Sequence, residues 1–161
     1  MSGAERIDQE LAAIAYEILP EKVTKEVRTR MRQLPSRLRG GGLAASYAFI
    51  CARANESKAD GSKNDSKAQL GRAYGLLADK IAQRLADQRI LGKAGDTMTR
   101  QQCLRHLADA TPMEYARASA EIDALAIWLS RLSDALWDRS DDGNGAGNEP
   151  PPGDGGGDAQ G

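Results

Sequence analysis

The sequence predicts an all-α protein, a compact single-domain bundle of about five to seven helices, and three observations carry that expectation. Apolar residues recur at helical spacing along most of the 161 residues. Only 4% of residues are aromatic, so Ala and aliphatic side chains must build the core, a composition that favours helix over sheet. Thr99 with Gln102, and Thr111 with Glu114, each fit a capping box, and no segment demands a strand or hairpin.

Taken in order, Ile7, Leu11, Ile14, Ala15 and Ile18 fall on one helical face, and Pro20 ends or kinks that helix. A second helix runs through Gln33 with Val23, Val27, Met31 and Leu34 on one stripe. Pro35 suits the first turn of a separate short helix, which Gly40, Gly41 and Gly42 terminate. The pattern resumes at Leu43, Tyr47 and Ile50, with Ala48 and Phe49 alongside. "ANESKADGSKNDSK", residues 54–67, reads as a polar loop. Leu70, Tyr74, Leu77, Ile81 and Leu85 then give the cleanest amphipathic helix in the chain. The last helix extends from about Pro112, a favourable first position, to Trp137. Its main stripe is Tyr115, Ala118, Ile122, Leu125, Leu129, Leu132 and Leu136, yet Ile127 and Trp128 lie well off it. A helix apolar over so much of its circumference is either central to the bundle or packed on another molecule.

Composition divides the chain in two. Residues 138–161 hold six acids, one Arg, eight Gly and three consecutive Pro, with no aliphatic residue larger than Ala. Such a segment cannot offset the entropy of ordering, and it is expected to be a disordered acidic tail beside a helical domain at 1–137. The tail's net −5 against a total of −1 leaves the domain at about +4. No apolar run reaches membrane-spanning length and "MSGAERIDQELAA" is too polar for a signal peptide, so a cytoplasmic protein without a membrane partner is expected. Cys51 and Cys103 fit a reducing compartment as buried thiols.

Positive charge concentrates between Lys22 and Arg39, where seven bases face one acid, Glu26, with Glu21 just outside. On a helical wheel Lys25, Arg28 and Arg32 fall within about 60° of one another, with Lys22 alongside, and the apolar stripe lies about 140° away. Burying that stripe turns the bases outward; Arg37, Arg39 and Arg53 follow. A solvated face would explain a helix of mixed charge. Uncompensated like charges instead favour a surface for a polyanion, and the scarcity of aromatic residues argues against a stacking platform for unpaired bases.

Catalytic signals are weak by comparison. His106, the single histidine, follows Cys103 by three residues, but a stable zinc site needs about four ligands and Cys51 is the only other thiol. No P-loop or Cys–His nucleophile pattern appears, and the acids Glu56, Asp60 and Asp65 are explained by solvation of a loop. No catalytic residue, metal or cofactor is expected, and the chain is read as a non-enzyme.

Two blocks carry a resemblance. "LPSRLRGGGLAASYAFICAR", residues 34–53, resembles the Leu-Pro, Gly-Leu, Ala-Phe signature of the small α-helical subunit of the type III-B CRISPR effector, the Cmr complex. "EYARASAEIDALAIWLSRLSDAL", residues 114–136, is similar to the closing helix of the same family, with its Tyr, its Glu and its Trp-Leu pair in order. Arg53 stands where the family often has Lys, and the acidic tail lies outside the resemblance. The resemblance implies an RNA-guided antiviral complex in which copies of this subunit stack into a minor filament, beside the backbone subunit that carries the crRNA and against the large polymerase-like subunit. Basic faces would line the groove that receives target RNA paired to the crRNA, while base pairing reads sequence. On that reading Lys22, Lys25, Arg28, Arg32, Arg37, Arg39 and Arg53 contact phosphates, and Ile127 and Trp128 pack within or between subunits. Two alternatives stand beside it: a free-standing helical adaptor for an acidic protein, and the small subunit of the related III-A complex.

Overall fold

The computed structural model describes residues 3–59, 65–93, 95 and 97–139. Among them stand six helices and no strand: α1 (Gly3–Ile18), α2 (Lys25–Gly41), α3 (Leu43–Ala59), α4 (Asp65–Asp87), α5 (Arg100–Asp109) and α6 (Pro112–Leu136). The fold is all-α and forms one domain. Helix α6 packs along α1 and α2, α3 lies along α4, and the short α5 closes the α3/α4 side. No helix among the described residues is long and apolar enough to cross a membrane.

The two capping boxes form as the sequence predicts, with Thr99 and Thr111 accepting from the backbone N–H groups of Gln102 and Glu114 and those side chains accepting in return. Each satisfies two orphan donors at a helix start. Three other expectations need correction. First, α2 begins at Lys25 behind the N-cap Thr24, whose hydroxyl accepts from Val27 N–H. Lys22 and Val23 therefore precede the helix; buried Val23 pairs instead with Trp137 in an isolated bridge. Second, Pro35 starts no new helix. Helix α2 runs through it to Gly41, and the proline ring is buried beside Leu34 and Leu38. A proline forgoes one backbone bond to the preceding turn, a cost offset here by burial and by the good helical residues on both sides.

Third, residues 54–59 and 65–67 are helical, so most of the expected loop belongs to α3 and α4. Ala54 is buried and Arg53 pairs with Glu56 at 3.1 Å across one turn, so the segment is a helix with a solvated polar face. The interior of that loop, 60–64, lies outside the described residues, as does the expected tail from 140 onward.

The most buried helix is α4. Leu77, Ile81 and Leu85 are fully buried as their spacing predicts, but Ala78, Ala82 and Ala86 on the adjoining arc are buried too. The composition assigned Ala to the core without saying which alanines; here the small side chains of these three let neighbouring helices approach a second face of α4. Inside the α3/α4 contact, the Tyr47 hydroxyl donates to the Ala78 carbonyl at 2.9 Å, in the neighbourhood of the buried Cys51 and Cys103.

Candidate nucleic-acid interface

Helix α2 places its apolar residues Val27, Met31, Leu34 and Leu38 in the core and so presents two flanks. At about 100° per residue, Lys25, Arg28, Arg32 and Arg39 fall on one flank and Arg30 and Arg37 on the other, Arg37 and Arg39 being about 160° apart. The two flanks meet different neighbours. The bases named from the sequence therefore occupy two surfaces, separated by the solvent-facing side of α2.

The first flank adjoins α6. Arg28 Nε donates to Asp134 Oδ1 at 2.7 Å, and its guanidinium carbon lies 4.1 Å from the centre of the Trp137 ring. That side chain is 23% exposed and holds α2 to the end of α6, so most of its charge is engaged within the protein. Arg32 reaches Asp134 only at 3.8 Å and is 53% exposed. Farther along, Arg32, Arg39 and Arg131 line a shallow depression of about 290 Å³ together with Pro35 and Ile127. Lys22 and Lys25 are exposed ahead of and at the start of α2, Lys25 lining a separate hollow with Glu26, Thr29 and Arg30, and Asp123 lines a hollow beside Arg39. In the depression itself three bases stand without an acid, and it is open to solvent between α2 and α6.

The second flank adjoins α3 and α4. Arg30, Arg53 and Lys67 line a cleft of about 260 Å³ with Glu26, Glu56 and Tyr74. Two arginines stack on one ring: Arg37 lies 3.8 Å and Arg53 5.1 Å from the centre of Phe49, which meets Tyr74 edge-on at 6.1 Å. Burial pushes the Tyr74 hydroxyl up, against the pull of Arg30, Arg37 and Arg53. Phe49 is thus occupied by the protein's own guanidiniums and Tyr74 is buried, leaving neither ring free to stack on a base. Glu26 and Glu56 offset part of the charge here, as Asp134 and Asp123 do at the α2/α6 edge.

The residues singled out for packing also separate. Trp128 is half-buried, its indole N–H donating to Asp8 Oδ1 at 2.7 Å, so α1 of the same chain covers it. Ile127 instead borders the α2/α6 depression. On α5, Cys103 is fully buried while His106 is exposed, so the two face different surroundings. Among the described residues no three His, Cys, Asp or Glu side chains gather as metal ligands. Sequence reasoning missed Arg131 and Arg30. Arg30 lay within the basic run but off its helical stripe; Arg131 had no sequence signal, because only packing decides which face of α6 adjoins α2.

The fold and this surface define a single-domain helical protein whose charged features are two cationic flanks of one helix. The family model for CRISPR-associated protein (Cas_Cmr5) matches residues 3–136, which takes in all six helices, and the chain belongs to that family of small Cmr subunits of type III-B CRISPR systems. The comparison with curated proteins returned no matching relative.

Proposed function

We propose that this protein is a non-catalytic small subunit of a type III-B Cmr ribonucleoprotein in cytoplasmic antiviral defence, stacking with copies of itself into a minor filament. Its α2/α6 edge holds the duplex of crRNA and target RNA by the phosphates, beside the backbone subunit and the large polymerase-like subunit. The observation that carries the reading is the groove lined by Arg32, Arg39 and Arg131, with Lys25 exposed near the start of the same helix, Asp134 and Asp123 the acids beside the groove and Glu26 the acid beside Lys25. Such a row attracts a polyanion without regard to sequence, as a complex that reads sequence by base pairing requires. Of the seven residues that the resemblance assigns to phosphates, Lys22, Lys25, Arg32 and Arg39 share this edge; Arg28 serves it from within by anchoring Trp137, while Arg37 and Arg53 belong to the other flank.

The test replaces Lys25, Arg32 and Arg39 by Gln in the assembled complex and measures capture of target RNA across a salt series. Each phosphate that is no longer neutralised flattens the log–log salt dependence by about 0.9, so the triple variant should lose up to about three units, equally for every matched target. The purified subunit incubated with the same RNA and magnesium should leave it uncut. Full capture and an unchanged slope in a folded, assembled variant would favour the adaptor for an acidic protein.

A further inference from the structure

The cationic edge has a candidate occupant within the chain itself. Residues 140–161 contain Asp141, Asp142, Glu149, Asp154 and Asp158, no base, and no aliphatic residue larger than Ala, so charge is the one strong attraction they offer a folded surface. The structure fixes where they start. Trp137 pairs with Val23, just before α2, and lies beneath the guanidiniums of Arg28 at 4.1 Å and Arg139 at 5.7 Å. The acidic segment therefore departs from the Lys22–Arg28 end of the α2/α6 edge. From Lys25 to Arg39, α2 rises about 21 Å, whereas the ten residues from Arg139 to Glu149 can span about 33 Å. Asp141 and Asp142 can therefore meet the bases at the near end of the edge, and Glu149 and the acids after it can reach any base along it.

We propose that residues 140–161 dock as a polyanion on the α2/α6 edge, along Lys25, Arg32, Arg39 and Arg131, and compete with RNA for it. Tethering places the segment at a local concentration on the order of millimolar, while each exposed ion pair by itself contributes little. The docked state is loose: it fends off weakly bound RNA and gives way to a duplex whose phosphates follow the whole edge. The competition rests on the RNA reading above; the docking does not.

The experiment uses the full-length chain and a control in which the acids are neutralised: Asp141→Asn, Asp142→Asn, Glu149→Gln, Asp154→Asn and Asp158→Asn. A nitroxide attached through Ala159→Cys, with Cys51 and Cys103 protected by burial, should broaden the amide signals of α2 from Lys25 to Arg39 in the native chain. The broadening should be absent from the control, and should disappear from the native chain when salt rises from about 50 mM to about 0.5 M. Equal broadening in both chains, or none in either, overturns docking. In parallel, a short RNA duplex of arbitrary sequence should bind the control about tenfold more tightly than the native chain at low salt and equally at high salt. Equal affinities at low salt overturn the competition. If neither chain binds RNA, the RNA reading falls, and the nitroxide result alone decides docking.

Discussion

Arg84 is 6% exposed, and its guanidinium joins three helices: Nε donates to Glu121 Oε1 on α6 at 2.6 Å and Nη1 to Glu10 Oε2 on α1 at 3.0 Å. A buried charge is costly to leave unpaired, and its remaining nitrogen, Nη2, is buried with no protein partner. Arg84→Met should therefore destabilise the protein by ~3 kcal/mol, chiefly because Glu121, 19% exposed, loses its partner. Adding Glu121→Gln should recover part of the loss, and urea unfolding of the four corners of that cycle measures the coupling; additive losses would show that the pair is not coupled. Its spacing from Leu77 and Ile81 sets Arg84 beside the apolar stripe of α4, unlike the arginines of the α2/α6 edge, but the sequence does not name its partners. Its surroundings consist of residues 37 and 74 positions away, and only folding brings those together.

At the junction of α2 and α3, three consecutive glycines have different roles. Gly42 has φ of +81° and its N–H closes α2 on the Leu38 carbonyl at 2.9 Å. A Cβ at that position would come 3.4 Å from the Tyr115 hydroxyl, which itself accepts from Ala44 N–H at 3.0 Å and so ties the junction to α6. Gly40 lies in the last turn of α2 with open space around it. Gly42→Ala should thus cost ~1–2 kcal/mol, whereas Gly40→Ala should stabilise by ~0.5–1 kcal/mol, since alanine restricts the unfolded chain and suits a helix. Thermal unfolding of the two variants should show midpoints moving in opposite directions. The sequence made "GGG" legible as a stop but could not say which glycine turns the chain. Similarly, Pro35 and the polar run after Ala54 looked like breaks because local punctuation was all that could be weighed. Burial of Pro35 and Ala54 on neighbouring helices decided otherwise.

Over the whole molecule, several buried acids resist ionisation together. Burial pushes the Cys103 thiol up to about 11 and raises Cys51 and Tyr47 as well, all within one cluster of α3 and α5. A group whose pKa is raised on folding retains its proton more firmly in the native state. Its contribution is complete below the unfolded thiol value of about 8.5 and is lost as pH climbs towards the folded value. Stability should be level from pH 7 to 8 and fall between about pH 9 and 11, by up to ~1.4 kcal/mol per pH unit for each coupled group. Thermal midpoints across that range check it. Cys103→Ala should lower the midpoint throughout yet flatten its alkaline decline, and an unaltered decline would assign it to other groups.

The sequence alone determined the fold class, the capped starts of α5 and α6, the apolar stripes that build the core and the concentration of bases around α2. Each is a local property, fixed by helical spacing, capping chemistry or composition within a few turns. The resemblance carried by residues 34–53 and 114–136 led to the same family that the match over residues 3–136 establishes. Tertiary structure decided how the bases divide. A helix with its stripe buried must offer two flanks, and what lies beside each flank depends on partners distant in the chain: Asp134, Trp137 and Arg131 on one side, Phe49, Glu56 and Lys67 on the other. Whether a basic residue is free to meet a phosphate depends on those neighbours, because a guanidinium already held by a carboxylate and a ring has little charge left to offer.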